Sequence, residues 1–324
     1  MVKGIGLLSG GLDSILAIKV IQEQGIYVIA VSFVTPFFGS KNAEKASKIL
    51  GVELRILDIS DVHLKIVRSP KYGYGKAMNP CIDCHALMFH EAGKLMEKEN
   101  ADFLFSGEVL GERPMSQNFK ALMRVSEESG YKDYIIRPLS ARLLPETLPE
   151  KQGKVDRERL LSIRGRSRKP QMELAKKYGI TEYAQPAGGC LLTDPMYSHR
   201  LREIMEKQPD FDKRDAELLA IGRHFRIGSG EKIIVGRDQT DNEKLLAIKN
   251  DGDVILDVID YPSPIAMIPN GGSEEAITIA GSIIALYSDA PKNDKIKVIY
   301  YYKDKSNIIL VSPFPKDEID KIRI

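Results

Sequence analysis

Three cysteines are the only thiols in this 324-residue chain: Cys81 and Cys84, spaced C-x-x-C in "NPCIDCH", and a distant Cys190 in "QPAGGCLLTD". A C-x-x-C pair at a helix start lets two thiolates meet one metal, and the helix dipole there lowers their pKa. A third cysteine in a proline–glycine turn can close the site from across the fold. Three chemistries suit such a set. Zinc requires a fourth ligand, for which His85 and His90 are the nearby candidates. A 4Fe-4S cluster takes three thiolates and leaves one iron open to sulfide or substrate. Without metal, one cysteine carries a persulfide and another resolves it as a disulfide.

A second stretch with chemistry in it is "GIGLLSGGLDSILAIKV", residues 4–20, which reads as strand, glycine turn, helix. Glycines take positive φ and let the backbone approach an anion, and the following helix start presents unpaired N–H groups to it. Ser9 and Ser14 add hydroxyl donors around Gly10, Gly11 and Asp13. A dinucleotide loop would need G-x-G-x-x-G, and a Walker loop would need Gly-Lys followed by Ser or Thr; neither is present. The loop is a phosphate cradle of a third kind.

These residues need a frame that brings strand ends together. Apolar runs at 2–8, 26–34, 52–58, 101–106 and 134–137 alternate with helical patterns at 12–24, 41–50 and 84–99. Such alternation predicts an α/β fold, a parallel Rossmann-like sheet whose ligand sites lie at the carboxyl ends of the strands. Residues 195–224 read as helical. From about 225 the texture changes to short strands and turns, "EKIIVGRDQTDN" and "DGDVILDVIDYP", then the apolar helix "SEEAITIAGSIIALYS" and the strand "KIKVIYYYK". The expected division is a catalytic domain at 1–190, a helical linker at 191–224 and a smaller C-terminal α+β domain at 225–324.

Ser-Gly-Gly-x-Asp-Ser after a first strand resembles the pyrophosphate loop of the PP-loop ATP pyrophosphatases, of HUP-type fold. The resemblance implies that Ser9, Gly10, Gly11, Asp13 and Ser14 hold the pyrophosphate of ATP, with Mg2+, while the adenine lies against the end of the second strand at Ser32 and Phe33. "SGEVLGERPMSQ" (106–117) and "IIRPLS" (135–140) are similar to later nucleotide-site elements of the thiouridine-forming branch. There Gly107 and Gly111 suit a loop over the nucleotide, and Arg113, Gln117 and Arg137 reach phosphates. C-x-x-C plus one distant cysteine behind this loop resembles the iron–sulfur-dependent tRNA thiolases. That likeness implies a 4Fe-4S cluster on Cys81, Cys84 and Cys190, with zinc and persulfide chemistry as the alternatives. The zinc-ribbon modules that some of these thiolases carry are missing, and no rhodanese-like segment with its own cysteine follows residue 190.

On the RNA side, "IIVGRDQTDNEKL" and the following "DGDVILDVIDYPSPIAMI" are similar to the RNA-binding module of the NFACT family. Gly236, Arg237, Asn242, Gly252 and Asp253 fall on matching positions, without the tryptophan and histidine common there. Residues 151–178 hold ten Lys/Arg against three acids and form the most basic window of the chain. Within it Arg164, Arg166, Arg168 and Lys169 are candidates to neutralise RNA backbone phosphates.

Composition sets the outer bounds. The chain is 43% hydrophobic and 28% charged, with a net charge of only +2, so nucleic-acid affinity has to come from local patches. No apolar run approaches a membrane span, and Met1-Val2-Lys3 runs straight into a strand, so a soluble cytoplasmic protein without signal peptide is expected. The resemblances imply an ATP-dependent sulfurtransferase that adenylates a tRNA uridine and replaces its oxygen by sulfur. Its partners would be tRNA and a sulfur donor, free sulfide or a cysteine desulfurase, and a homodimer is allowed. Rival readings are a persulfide-based thiolase, a PP-loop ligase forming amides or guanidines, a small-molecule sulfur insertase and a non-catalytic RNA-binding adaptor.

Overall fold

A computed structural model describes residues 1–184 and 189–324; most of the proline–glycine turn expected before Cys190 lies at 185–188, outside the described residues. The chain divides into two compact units, Met1–Ser198 and His199–Ile324. Among the described residues no helix is long and apolar enough to cross a membrane.

The first unit runs β1 (Lys3–Leu7), α1 (Leu12–Gln22), β2 (Tyr27–Val34), α2 (Lys41–Leu50), β3 (Glu53–Asp58), α3 (Ser60–Arg68), α4 (Cys81–Lys98), β4 (Phe103–Phe105), α5 (Phe119–Ser129), β5 (Ile135–Ile136), α6 (Leu148–Lys151) and α7 (Lys169–Lys177). Its five strands are all parallel in the order β3-β2-β1-β4-β5. The chain therefore leaves β1 toward one edge and returns to β4 on the other side of β1. The crevice at the carboxyl ends of β1 and β4 is the topological switch point, where open α/β sheets bind their ligands. Helix α1, LDSILAIKVIQ, is apolar nearly all round and has eight of its eleven residues buried. It sits in the larger core with Phe103, Phe105 and Ile136, while α4 supplies Leu87, Phe89, Ala92 and Leu95 to the core that also holds Ile5 and Ile29.

Two helices escape the sequence pattern. Helix α3 follows β3 after one residue, and α5 is an amphipathic segment capped by the Asn118 side chain on Ala121 N at 2.9 Å. The stretch 195–224 is not one helix. Helix α8 (Pro195–Lys207) stops before Pro209, Asp212 caps α9 (Lys213–Leu218) in a reciprocal box with Asp215, and Arg223 already opens a strand.

In the second unit β6 (Arg223–Arg226), β7 (Lys232–Val235), α10 (Gln239–Ile248), β8 (Val254–Val258), β9 (Ala266–Ile268), α11 (Glu274–Tyr287), β10 (Ile296–Tyr302) and β11 (Lys305–Val311) follow in order. They form a six-stranded antiparallel sheet, β11-β10-β8-β9-β7-β6. The apolar helix α11 fills one face through Ala276, Ala280, Ile283 and Ile284, and Leu218 and Leu245 cover part of the other.

Strand β1 carries glycine at alternate positions for a steric reason. Gly4 and Gly6 pair with Phe103 and Phe105, whose rings lie over them, and a Cβ at Gly6 would come within 2.4 Å of the Phe105 ring. Gly6→Ala is expected to lower stability by about 1–3 kcal/mol through overpacking, read as a fall in the urea midpoint at unchanged slope.

Candidate active site

The loop Leu8–Gly11 joins β1 to α1 at the switch point. Gly10 has φ +79°, and a Cβ there would fall 2.4 Å from the Asn42 backbone, so both its conformation and its surroundings demand glycine. Ser14 Oγ donates to Gly11 O at 2.8 Å, and Ser9 and Ser14 hydroxyls lie 3.3 Å apart. The loop is clamped from outside by Ala184, whose N–H donates to Gly10 O at 2.9 Å. On the far side the loop after β4 presses against it: a Cβ on Gly107 would sit 2.4 Å from the Asp13 and Ser14 backbone. Four of the residues named from the sequence, Gly10, Asp13, Ser14 and Gly107, thus meet in one crevice.

Asp13 stands at the first turn of α1 with charged company. Burial pushes its carboxyl pKa up, and Arg168, Gln171 and Arg113 pull it back. Arg168 Nη2 lies 4.0 Å from Asp13 Oδ2. Glu112 faces the same space, its pKa raised by burial and by the charge of Asp13. Asp13 Oδ1, Gln117 Oε1 and Arg168 Nε are buried and find no hydrogen-bond partner among the described residues. Polar atoms left this way inside a folded protein call for a partner such as a water, an ion or a ligand.

One residue beyond Gly107, Glu108 is buried at the hub of an ion network. Arg137 Nε donates to its Oε2 at 2.9 Å, Ser106 Oγ donates to the same oxygen at 3.1 Å, and His85 Nδ1 lies 2.7 Å from Oε1. Arg137 and His85 hold the Glu108 carboxyl down to about 2 against the opposing effect of burial. Arg137 is 2% exposed, and its other nitrogens donate to Ser126 Oγ and Leu122 O, both at 3.1 Å. Its guanidinium is spent on protein partners, and it braces the loop that carries Gly107. Ser32 and Phe33 are buried at the end of β2, with Phe33 in the core beside α4.

The thiols lie next to this crevice. Cys81 opens α4 and accepts from Asn79 Nδ2 at 3.1 Å, and Cys84 is buried one turn on. Burial pushes the Cys84 thiol up, and the charges of Cys190 and Cys81 push further in the same direction; the Cys190 thiol is driven up to about 11 by burial and by Cys81, against a lowering by Arg113. Cys81, Cys84 and Cys190 are therefore close enough to feel one another's charge, and Arg113 acts on both Cys190 and Asp13. Among the described residues no three His, Cys, Asp or Glu side chains converge as a single bound ion requires. His85 and His90 are engaged instead with Glu108 and with Ser129 O.

His63 is the neighbour the sequence did not disclose. It is fully buried on α3, its ring between Phe37 and Phe38 at 5.4 and 5.5 Å, and its Nε2 lies 3.1 Å from Cys84 Sγ. Burial lowers its pKa to about 4, which keeps the ring neutral. Nothing in "SDVHLKIVR" signals a thiol partner 21 residues away.

The basic window is split by the fold. Its backbone runs beside the loop after β4, with Gly165 N donating to Leu110 O at 2.8 Å. Arg164, Arg166 and Lys169 are exposed, whereas Arg168 turns inward to Asp13. In the second unit Arg237 is clasped by Asp241 at 2.6 Å while keeping half its side chain in solvent. Asn242 accepts from Ile265 N at 3.0 Å, and Asp253 accepts from Asn250 N and Asn270 N at 2.8 and 3.1 Å. Gly236 makes room for Asn242, whose Oδ1 would lie 2.1 Å from a Cβ there.

Comparison with known proteins matches two separate segments of the chain to two family models. Residues 2–142 match the family model of the thiamine biosynthesis protein (ThiI), and residues 222–323 match that of the NFACT protein RNA binding domain. A probable tRNA sulfurtransferase of Methanothermobacter thermautotrophicus is 26% identical over 241 residues, covering 70% of this chain and 54% of that protein. A tRNA-specific 2-thiouridylase of Sulfurimonas denitrificans is 27% identical over 151 residues, 44% of this chain and 43% of its own length. The chain spans about half the length of these curated relatives. A solved 4-thiouridine synthetase–RNA complex with bound ATP is 20% identical over 64% of this chain and 50% of that one, with a TM-score of 0.37.

The Glu108 network yields a pH test. Its folded carboxyl pKa of about 2 lies below the ordinary 4.5, so the stabilisation is fully present above pH 4.5 and is lost as pH falls toward 2. Arg137→Met leaves the carboxylate buried beside His85 and Ser106 and is expected to cost about 3–5 kcal/mol at pH 7, with a flatter acid limb in denaturant midpoints measured from pH 7 to 2.

Proposed function

We propose that this chain, with ThiI-family residues at 2–142 and an NFACT RNA-binding module at 222–323, is an ATP-dependent sulfurtransferase that thiolates a uridine in tRNA. The observation that carries the reading is the contact chain between the two sites: the loop after β4 lays Gly107 on the backbone of Asp13 and Ser14, and its Glu108 holds His85, the residue that follows Cys84 on α4. Activation and sulfur delivery have to happen on the same carbon, so the two sites have to be neighbours.

In this reading ATP binds with its β,γ-phosphates against Ser9, Gly10, Gly11, Asp13 and Ser14, where loop and helix N–H groups meet the anion. The adenine lies at the end of β2, at Ser32 and Phe33, under the loop that carries Gly107. The uridine oxygen attacks the α-phosphorus, the bond to the β-phosphate breaks, and pyrophosphate departs with its charge held at the loop. Sulfur then adds to the activated ring carbon and AMP leaves with the former oxygen. Arg137 braces the Gly107 loop through Glu108. Arg164, Arg166 and Lys169, with Arg237 of the second unit, are assigned to the RNA backbone. We take 1–190 as the catalytic domain, 191–224 as its linker and 225–324 as the RNA-binding domain.

The space between Asp13 and Glu112, two carboxylates in each other's field with Asp13 Oδ1 unpartnered, fits Mg2+, which takes one or two carboxylates plus phosphate oxygens. Three thiols in one another's field, with His85 and His90 already engaged by Glu108 and Ser129 O, are a donor set that fits a 4Fe-4S cluster better than zinc. Such a cluster supplies an open iron that binds sulfide. Cys81, Cys84 and Cys190 would hold it, and His63 keeps Cys84 oriented from behind. Free sulfide or a cysteine desulfurase is the matching donor.

Cys81→Ala, Cys84→Ala and Cys190→Ala are each expected to abolish thiouridine formation from tRNA, ATP and sulfide, and to lower iron and acid-labile sulfide in anaerobically purified protein, with ATP affinity unchanged. Full thiolation by any one variant overturns the three-cysteine site.

A further inference from the structure

Gln171 has no part in the proposed reaction, yet it is a fully buried polar residue on the helix beside α1. It lies on α7, which packs beside α1, and its side chain is 0% exposed. Its amide faces Asp13 closely enough to favour the charged carboxylate, but neither Oε1 nor Nε2 completes a hydrogen bond among the described residues. A glutamine held in a protein interior with both amide atoms unmade is destabilising, and a leucine of similar volume would not be. Three residues earlier, Arg168 repeats the pattern: its Nε is buried and unpartnered, and its Nη2 stops at 4.0 Å from Asp13 Oδ2, beyond hydrogen-bond length.

The 4.0 Å between Arg168 Nη2 and Asp13 Oδ2, with the buried Arg168 Nε and the Gln171 amide still unmet, leaves polar atoms for a further group to satisfy. The donors are an amide N–H pair and a guanidinium, and they look onto the start of α1. An oxyanion is the ligand chemistry this set accepts, and a guanidinium with an amide suits the oxygens of a phosphate chain. We propose that Arg168 and Gln171 form a second jaw on the β,γ-phosphates of ATP, gripping from α7 the same pyrophosphate that the glycine loop grips from α1. This rests on the reading of the loop as an ATP site and adds two binding residues to it. It also moves Arg168 out of the RNA-contacting set: Arg164, Arg166 and Lys169 point to solvent, and Arg168 points to the nucleotide.

The test uses the full chain with Gln171→Leu and Arg168→Ala, and the probes are inorganic pyrophosphate, ATP and AMP with magnesium in titration calorimetry. Gln171→Leu is expected to weaken pyrophosphate and ATP by about ten- to hundredfold, the value of a hydrogen bond to a charged group. AMP affinity should stay within about twofold, and the melting temperature of the ligand-free protein should hold or rise because an unmade amide is gone. Arg168→Ala should show the same split between pyrophosphate and AMP with unchanged tRNA affinity. If the unaltered protein binds ATP and both variants bind pyrophosphate as well as it does, the jaw is wrong and the ATP site stands. A lower melting temperature for Gln171→Leu with unchanged pyrophosphate affinity makes Gln171 structural and overturns its assignment. An unaltered protein that binds neither ATP nor pyrophosphate removes the ATP reading and this one with it.

Discussion

The contact on which the rest of the site depends is the approach of two backbones, Gly107 against the first turn of α1 at Asp13 and Ser14. Any side chain at 107 would drive the loop after β4 away from the phosphate loop and open the switch-point crevice. Because β4 pairs directly with β1, the two loops start from adjacent strand ends, and a missing Cβ turns adjacency into contact. Everything later in the β4 loop inherits its position from this point, including Glu108, Glu112 and Arg113.

Glu108 converts that position into rigidity. A buried carboxylate is costly unless its lone pairs are met, and here Arg137, Ser106 and His85 meet them from three segments. The same network ties α4 to the switch-point crevice, since His85 directly follows Cys84. That crevice and the thiol-bearing helix are therefore parts of one braced body.

Motifs confined to one short segment were legible in the sequence. The Ser-Gly-Gly-x-Asp-Ser loop, the C-x-x-C at a helix start and the alternating strands appear where their periodicity and spacing put them. What stayed hidden depends on partners far away in the chain. His63 reads as one polar residue in a nine-residue amphipathic segment, and only the packing of α3 on α4 sets it against Cys84. Gln171 follows Pro170 in a charge-rich window and looks like a surface residue until α7 lies on α1. Arg137 and Arg168 show how an arginine's sign is visible in sequence while its direction is not: one points into the core and the other at Asp13. Helix α5 follows a long loop with its own cap and has no flanking strand pattern to announce it, and the helical pattern over 195–224 does not show the break at Pro209 or the strand that opens at Arg223.

The burial of Cys84 and Cys190 bears on the lifetime of the protein. Thiols whose pKa values are pushed upward stay protonated at neutral pH, and the protonated form reacts slowly with peroxide, disulfides and alkylating agents. Surroundings that hold a thiol neutral when nothing is bound also shield it from irreversible oxidation.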